Sequence, residues 1–208
     1  MPGTIVLQSP QKSTHLFLLF HGVNATPESL HPIATMLARS YLHAAIVLVQ
    51  APYASDFGQG YQWFSVQGVT EQNRTQRVEM AMPAFVETVR NWQKKTGVNA
   101  EQTTLIGFSQ GAIMALSSTQ MVEDVLAARI VALSGRFATL PKKGVDQTQI
   151  HFIHGDQDNV IDHRISRIAH EALLARGVMT TYDLIPHLAH SVDQTAIMSL
   201  FQRLSDGK

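Results

Sequence analysis

Short apolar runs and longer segments with helical spacing alternate along this chain. Most of the apolar runs are rich in Val, Ile, Leu and Phe and lack an alternation of apolar and polar residues, which is typical of strands covered on both faces of a parallel sheet. The seven runs are residues 5–7, 16–20, 44–49, 103–108, 130–133, 150–153 and 179–185. The pattern therefore predicts seven strands, most of them buried.

Four longer segments between and after these runs have the spacing of helices. They cover residues 27–38, 78–92, 162–176 and 192–204. Thr26 and Pro27 suit the N-cap and the first helical position of the first segment, and Gly177 suits the end of the third. Pro83 lies inside the second segment, where we expect a kink or a break. Strands that alternate with helices predict a doubly wound α/β sheet.

The composition favours one globular domain and excludes several classes of protein. Of the 208 residues, 45% are hydrophobic and 15% are charged, so the chain has ample apolar surface for a core and is not disordered. Sixteen basic residues balance sixteen acidic ones, which leaves no basic surface for nucleic acid. We therefore expect a single domain over residues 1–208 with no nucleic-acid partner.

The absence of cysteine excludes disulfides, thiolate metal sites and a cysteine nucleophile. The first residues lack the basic patch and long apolar stretch of a signal peptide. No apolar run approaches the roughly 18 residues of a membrane-spanning helix. We expect a cytoplasmic protein without membrane insertion, whose covalent chemistry would use a hydroxyl, an amine or a carboxylate.

The sharpest local motif is G-F-S-Q-G at residues 107–111. An apolar strand runs directly into it and a helix-forming stretch follows, which is the strand, turn and helix of a nucleophile elbow. Gly107 and Gly111 allow the strand and the helix to approach closely, and the turn holds Ser109 in a strained geometry with its hydroxyl exposed. The alternative is a glycine-rich turn whose serine caps the helix.

A serine nucleophile needs a histidine base and a carboxylate that orients it. H-G-D-Q-D follows the sixth apolar run and P-H-L-A-H-S follows the seventh. Both motifs lie at the carboxyl ends of strands, where α/β sheets place their ligand sites. The acid is then Asp156 or Asp158, and the base is His187 or His190. Spacing alone does not choose between them.

An acyl carbonyl under attack gains negative charge on its oxygen, and fixed N–H donors must stabilise that charge. One donor should be the backbone N–H after the nucleophile, from Gln110. The second should come from a loop after an early strand, and H-G-V-N follows the second apolar run. The N–H of Val23 is the candidate, and an ordinary turn at His21 and Gly22 is the alternative.

Six motifs occur in a characteristic order between residues 16 and 190. They are L-L-F-H-G-V-N, W-F-S, G-F-S-Q-G, A-L-S-G, H-G-D-Q-D and L-A-H-S. In this order the chain resembles the phospholipase/carboxylesterase family of small α/β-hydrolases, which are related to acyl-protein thioesterases. The resemblance implies an α/β-hydrolase fold, a mostly parallel sheet with helices on both faces. At 208 residues little chain is left for a cap domain, so we expect none.

The resemblance also implies roles for particular residues. Ser109 would be the nucleophile, Asp158 the acid and His190 the base of a serine carboxylesterase that forms an acyl-enzyme. His187 and Ala189 stand where the family has glycines before its base, so His187 stays the alternative. The expected partner is a small to medium acyl ester or thioester. No cofactor and no metal are expected, and a homodimer is compatible with the sequence.

Residues 50–68 form the least regular stretch, and a long loop in a small domain is often functional. Its aromatic residues would either wall an acyl pocket or cover the edge of the sheet. They are Tyr53, Phe57, Tyr61, Trp63 and Phe64. Trp63 and Phe64 are the candidate pocket residues.

Three other interpretations use the same residues differently. A catalytically inactive hydrolase fold would serve binding alone, and a small serine peptidase would use the same triad. Several neighbouring histidines and aspartates would have to converge for a metal site, although their spacing matches no recognised zinc motif. These residues are His151, His154, Asp156, Asp158 and His163.

Overall fold

A seven-stranded sheet with helices on both faces forms in the computed structural model, which describes residues 3–143, 145 and 147–206. The strands are β1 (Ile5–Gln8), β2 (His15–Phe20), β3 (Ala44–Val49), β4 (Tyr53–Ala54), β5 (Tyr61–Gln62), β6 (Thr103–Phe108), β7 (Arg129–Leu133), β8 (Gln149–Gly155) and β9 (Thr180–Ile185). The helices are α1 (His31–Ser40), α2 (Glu71–Thr96), α3 (Gln110–Met121), α4 (His163–Leu174) and α5 (Gln194–Ser205). Short 3₁₀ turns cover Pro27–Leu30 and Ala100–Gln102.

The order of strands in the main sheet is β1-β3-β2-β6-β7-β8-β9. β1 is antiparallel to β3, and all other neighbours are parallel. The chain leaves β2 towards β3 and returns on the other side at β6, so the topological switch point lies between β2 and β6. Ligand sites of open α/β sheets lie at this crevice, outside the carboxyl ends of the strands.

Two apolar layers cover the two faces of the sheet. Helices α2, α3 and α4 pack on one face, and α1 and α5 pack on the other. Side chains of a strand alternate between its faces, and in β2 Leu18 and Phe20 join the first layer whereas Phe17 and Leu19 join the second. Because both faces are covered, the central strands carry apolar residues at nearly every position.

Of the expected kink or break at Pro83, the break does not occur, since α2 continues from Glu71 to Thr96. A proline inside a helix removes one backbone hydrogen bond. Val78, Phe85 and Val89 bury one face of α2 on either side of Pro83, and this packing holds the helix together across it.

Two smaller sequence expectations also change. Thr26 lies at the N-cap position, but its side chain makes no capping hydrogen bond, and the first turn is a 3₁₀ turn rather than α-helix. The irregular stretch of residues 50–68 contains a short antiparallel hairpin of β4 and β5. An isolated bridge joins Tyr61 of this hairpin to Ala25, so the hairpin lies beside the loop that follows β2.

No separate cap domain stands over the sheet in the part of the chain that the structure describes. Among the same residues, no helix has the length and the apolar character needed to cross a membrane.

Candidate active site

Ser109 occupies a sharp turn between the end of β6 and the start of α3. Its φ of 51° is positive, a conformation that non-glycine residues adopt only where the surroundings impose it. Its backbone N–H donates to the carbonyl of Leu133 at 3.0 Å, and its own carbonyl accepts from Ile113 at 3.0 Å. These two bonds hold the strained residue between β7 and the first turn of α3.

The glycines on either side of this turn are required by close backbone contacts. A Cβ on Gly107 would lie 2.4 Å from the backbone nitrogen of Ala112, and one on Gly111 would lie 2.2 Å from the carbonyl oxygen of Phe20. Both distances are far below van der Waals contact. The steric role that the motif predicts for these two glycines is therefore present.

A continuous hydrogen-bonded chain joins Ser109, His190 and Asp158. The Nε2 atom of His190 lies 2.9 Å from the Ser109 Oγ, and its Nδ1 atom lies 2.7 Å from the Asp158 Oδ2. A carboxylate oxygen only accepts hydrogen bonds, so Nδ1 carries the proton and Nε2 is free to accept from the serine hydroxyl. The ring of Phe108 packs against His190 with centroids 5.0 Å apart.

Asp158 is held as a carboxylate by several donors. Its side chain is fully buried, and its Oδ1 accepts from the backbone N–H groups of Val160 and Ile161, each at 2.9 Å. Burial by itself raises the pKa of this carboxyl, but the hydrogen bonds from His190, Ile161 and Val160 outweigh burial and lower it. Asp158 therefore stays ionised at neutral pH.

Asp156 and His187 lie together at the exposed side of the same loops. The Oδ1 atom of Asp156 accepts from the backbone N–H of His187 at 2.7 Å, and the His187 ring lies 3.3 Å from the Gln157 amide. His187 has a φ of 61° and is exposed. The structure thus brings Asp158 and His190 to Ser109, and pairs the two alternatives with each other.

The loop after β2 lies directly against the elbow. A Cβ on Gly22 would lie 3.2 Å from the Ser109 Cβ, which shows how closely this loop approaches Ser109. Val23 and Gln110 line the cavity that contains Ser109. Gln110 is the first residue of α3, so its N–H has no acceptor within the helix and can bind an anion.

The buried side chain of His21 fixes this loop to the segment after β3. Its Nε2 accepts from the backbone N–H of Ala51 at 3.1 Å, so its Nδ1 carries the proton and donates to the carbonyl of Gly22 at 2.7 Å. Burial lowers the pKa of His21, although the Gly22 carbonyl and Glu28 raise it, which keeps the ring neutral. The His-Gly pair is therefore part of the support of the loop that carries Val23.

The side chain of Gln110 connects the elbow to the segment after β5. Its Oε1 accepts from the backbone N–H of Trp63 at 2.7 Å, and its Nε2 donates to the carbonyl of Phe64 at 2.8 Å. Both bonds are buried. Gln110 therefore presents its backbone N–H to the site, while its side chain holds in place the segment that contains Phe64.

A cavity of about 580 Å³ opens at Ser109. Apolar side chains from the loop before α2, from α3, and from α4 and the loop before it form much of its wall: Phe64, Val66, Val69, Ile113, Val160, Ile161 and Ile165. An ionic cluster forms another part, in which Glu71 pairs with Arg136 at 2.9 Å and with Arg74 at 2.5 Å. The Arg136 and Arg74 side chains lower the pKa of Glu71.

The structure places the two candidate pocket aromatics differently. Phe64 lies in the cavity wall. The ring of Trp63 lies in the core instead, with its centroid 6.1 Å from that of Phe20 and 5.1 Å from that of Phe85. Trp63 thus belongs to the apolar layer on one face of the sheet and does not line the cavity, which corrects the expectation that it walls the pocket.

The three histidines that a metal site would require have separate partners. His151 lies 2.9 Å from the Thr181 hydroxyl, and His163 lies 3.0 Å from the Tyr182 hydroxyl. His154 contacts Asp158 and the hydroxyl of Ser166. No local motif in the sequence marks the contact between His154 and Ser166, because it joins β8 to α4.

Known proteins resemble this chain over nearly its whole length. The family model described as Phospholipase/Carboxylesterase matches residues 1–206. Esterase YpfH from Escherichia coli (strain K12) is 45% identical over 200 residues, which cover 96% of this chain and 86% of that protein. Acyl-protein thioesterase 1 from Kluyveromyces lactis is 26% identical over 219 residues, with 96% and 95% coverage. The crystal structure of esterase PE8 shares the α/β-hydrolase fold, with a TM-score of 0.89, 23% identity and 97% coverage of both chains.

Proposed function

The chain belongs to the phospholipase/carboxylesterase family and is a serine carboxylic ester hydrolase, and we propose that Ser109, His190 and Asp158 are its catalytic triad. The observation that carries this proposal is the chain of two short contacts through His190, 2.9 Å to the serine oxygen and 2.7 Å to the carboxylate. Such a chain activates a hydroxyl that is otherwise a weak nucleophile.

In the first step the Ser109 Oγ attacks the acyl carbon while its proton passes to the His190 Nε2. The Nδ1–H of His190 stays hydrogen-bonded to Asp158, which stabilises the imidazolium and does not itself take the proton. The carbonyl oxygen becomes an oxyanion, and the backbone N–H groups of Val23 and Gln110 stabilise it. Losing one such donor typically costs about 3–4 kcal/mol of transition-state stabilisation.

The tetrahedral intermediate then collapses and the bond to the leaving group breaks. The leaving alcohol or thiol takes the proton from the His190 Nε2, and the acyl group stays on Ser109 as an ester. Water then enters, gives a proton to the His190 Nε2 and attacks the acyl carbon. When the second tetrahedral intermediate collapses, the bond from the acyl carbon to the Ser109 Oγ breaks and His190 returns the proton to that oxygen, so that the acid is released and Ser109 is restored. An oxygen ester and a thioester pass through the same kind of intermediate, and the proposal covers both.

The cavity supports small to medium acyl groups as substrates. Its apolar wall, which includes Phe64, Ile113 and Ile165, suits hydrocarbon, while the ionic cluster around Glu71 gives another part of the wall a charged surface. Pockets of roughly 300–1,000 Å³ hold small ligands, and about 580 Å³ lies within that range. We expect turnover to rise with acyl length and then to fall once the chain reaches the charged side of the cavity.

Labelling with a fluorophosphonate followed by mass spectrometry tests the nucleophile. We expect modification at Ser109 in the wild type and none in Ser109→Ala. Modification of another serine in the wild type would refute the assignment. Turnover of p-nitrophenyl esters of increasing acyl length, measured on the same samples, tests the substrate range.

Alanine variants of the two histidines test the base. His190→Ala should lower kcat by several orders of magnitude, because both ends of the hydrogen-bonded chain are lost. His187→Ala should stay within about tenfold of the wild type, since its ring faces Gln157 rather than Ser109. The reverse result would move the base to His187.

A further inference from the structure

A second imidazole lies against the carboxylate of the triad. The Nε2 atom of His154 is 3.1 Å from the Asp158 Oδ2, the same oxygen that His190 contacts at 2.7 Å. The His154 Nε2 is also 2.8 Å from the carbonyl oxygen of Ile161. A carboxylate and a carbonyl only accept hydrogen bonds, so Nε2 of His154 carries a proton and is shared between them.

The other ring nitrogen of His154 faces a hydroxyl that can both donate and accept. The Nδ1 atom lies 2.7 Å from the Oγ of Ser166, and that Oγ lies 2.7 Å from the carbonyl oxygen of Gly135. The Ser166 hydroxyl has one proton, and it donates this proton to the Gly135 carbonyl. With Nε2 protonated and the ring neutral, the lone pair of Nδ1 is a second acceptor for the same proton. If the ring became charged, Nδ1 would donate to the same Oγ and the hydroxyl proton would be left to Gly135 alone.

This contact chain connects three parts of the fold below the catalytic centre. Gly135 follows β7, His154 lies on β8 and Ser166 lies on α4. His154 and Ser166 are 1% and 0% exposed, so water does not replace these bonds. This buried network therefore links α4 and the segment after β7 to the side chain that contacts Asp158.

Burial also determines the charge state of His154. Burial lowers the pKa of its ring, although the Ile161 carbonyl and Asp158 raise it, and His163 at the start of α4 lowers it further. Two titratable groups thus face the His154 ring. They are Asp158, from the loop that follows β8, with His190 on the far side of its carboxylate, and His163, from α4. At neutral pH the ring is an uncharged donor to the carboxylate.

We propose that His154 is a positioning residue of the triad, which holds the Asp158 Oδ2 in line with His190 and takes part of the carboxylate's hydrogen-bonding capacity. The inference rests on the triad proposed above. Without His154, Oδ2 keeps His190 as its donor, while Oδ1 keeps Val160 and Ile161. The carboxylate is then held by one hydrogen bond fewer and is freer to rotate about its bond to Cβ. Because Oδ2 no longer shares its negative charge with a second donor, more of that charge acts on His190.

Two kinetic consequences follow from this arrangement. A less well held carboxylate orients His190 less well, so kcat should fall while KM, which depends on the cavity wall, stays within about twofold. A carboxylate whose charge acts more fully on His190 stabilises the protonated imidazole, so the acid side of the kcat/KM profile should move to higher pH. A residue that merely supported folding would lower activity by the same factor at every pH.

The test compares His154→Leu with His154→Gln in the full chain. Hydrogen bonds to charged groups contribute enough to change a rate by roughly ten- to hundredfold. We expect His154→Leu to lower kcat by about that factor and to shift the acid midpoint upwards. His154→Gln keeps an amide N–H that can reach Asp158, and it should stay within about threefold of the wild type. An unmoved midpoint in His154→Leu, with Gln no better than Leu, would overturn the proposal.

His151→Gln is the matched control. His151 is a buried histidine of the same strand, but its ring contacts Thr181 rather than the triad. It should leave kcat and the pH midpoint unchanged. Ser166→Ala decides the case in which His154→Leu does not fold. It removes the contacts of the Ser166 hydroxyl to His154 and to Gly135, of which only the first supports the ring of His154, and it should lower kcat by about three- to tenfold. Wild-type kcat and midpoint in Ser166→Ala would contradict the proposal.

A measurement without turnover separates this inference from the function itself. The proton between the His190 Nδ1 and Asp158 gives a downfield signal in proton NMR when that bond is short and shielded from water. The signal should shift or broaden in His154→Leu and persist in His151→Gln, whether or not any ester is hydrolysed. An unchanged signal in His154→Leu would overturn the role of His154, whereas failure of Ser109 labelling would overturn the triad.

Discussion

The buried His151 should make the protein sensitive to acid. Its side chain lies inside β8 and is 5% exposed, with its Nδ1 at 2.9 Å from the Thr181 hydroxyl. Among the described residues its Nε2 has no hydrogen-bond partner. Burial, followed by the charges of Arg129 and Arg203, lowers the pKa of this histidine from 6.5 to about 4.

The direction of the effect follows from where each state takes up its proton. Below pH 6.5 the unfolded chain protonates this histidine, whereas the folded protein does not until about pH 4, so the unfolded state gains stability as the pH falls. Each unit of pH within this window removes about 1.4 kcal/mol from the free energy of unfolding. Between neutral pH and pH 5, protonation of His151 in the unfolded state therefore lowers the free energy of unfolding by about 2 kcal/mol.

Urea unfolding at pH 7.5 and pH 5 measures this term. The free energy of unfolding of the wild type should fall by about 2 kcal/mol more than that of His151→Gln, which has no titrating group at this position. His43→Gln replaces an exposed histidine and should follow the wild type. Equal losses in the wild type and His151→Gln would show that His151 takes up its proton equally well in both states and would refute the reasoning.

Three further predictions concern the catalytic centre. A Cβ on Gly155 would lie 2.0 Å from the carbonyl oxygen of Leu188, so Gly155→Ala should displace the loop of the base and lower kcat at least about tenfold. Gly177→Ala adds a Cβ with no atom within 4 Å, at a residue whose φ is 76°; it should cost stability through backbone strain but keep wild-type kcat. Gln110→Leu retains the backbone donor but loses two buried hydrogen bonds to the cavity wall; it should lower the free energy of unfolding by about 2 kcal/mol in urea and raise KM for longer esters. No cap domain covers the cavity among the described residues, so the rate with an acyl ester should rise smoothly as the ester concentration passes its critical micelle concentration. A sudden rise in rate at that concentration would indicate a lid that opens at a lipid surface.

The elbow and its surroundings were predictable from the sequence because their geometry is local. Gly107, Ser109 and Gly111 lie within five consecutive residues, between an apolar strand and a helix, and this local order is enough to predict the turn. The contacts with Phe20 and Leu133 that also hold it come from neighbouring strands. The seven apolar runs likewise predicted the strands of the sheet, since burial on both faces leaves a pattern that needs no partner to be recognised. The order of the motifs then linked the chain to its family.

Other features depended on contacts between distant parts of the chain. Trp63 and Phe64 are neighbours of the same chemical type, yet one packs in the core and the other faces the cavity. Pro83 suggested a break, but burial of α2 against the sheet outweighs the loss of one backbone hydrogen bond. Neither outcome could be derived from local propensity, because both depend on what the folded chain places opposite each residue.

The sequence by itself determined that a nucleophilic serine, a set of acid and base candidates and a buried parallel sheet occur together in this protein. Only the tertiary structure turned Asp158 and His190 towards Ser109 and left Asp156 and His187 facing solvent. Only the folded chain, too, brought His154 and Ser166 behind the carboxylate. The physical reason is that hydrogen bonds between side chains require distances near 3 Å, and residues that are far apart along the chain reach such distances only when packing of the whole sheet brings their loops to one edge.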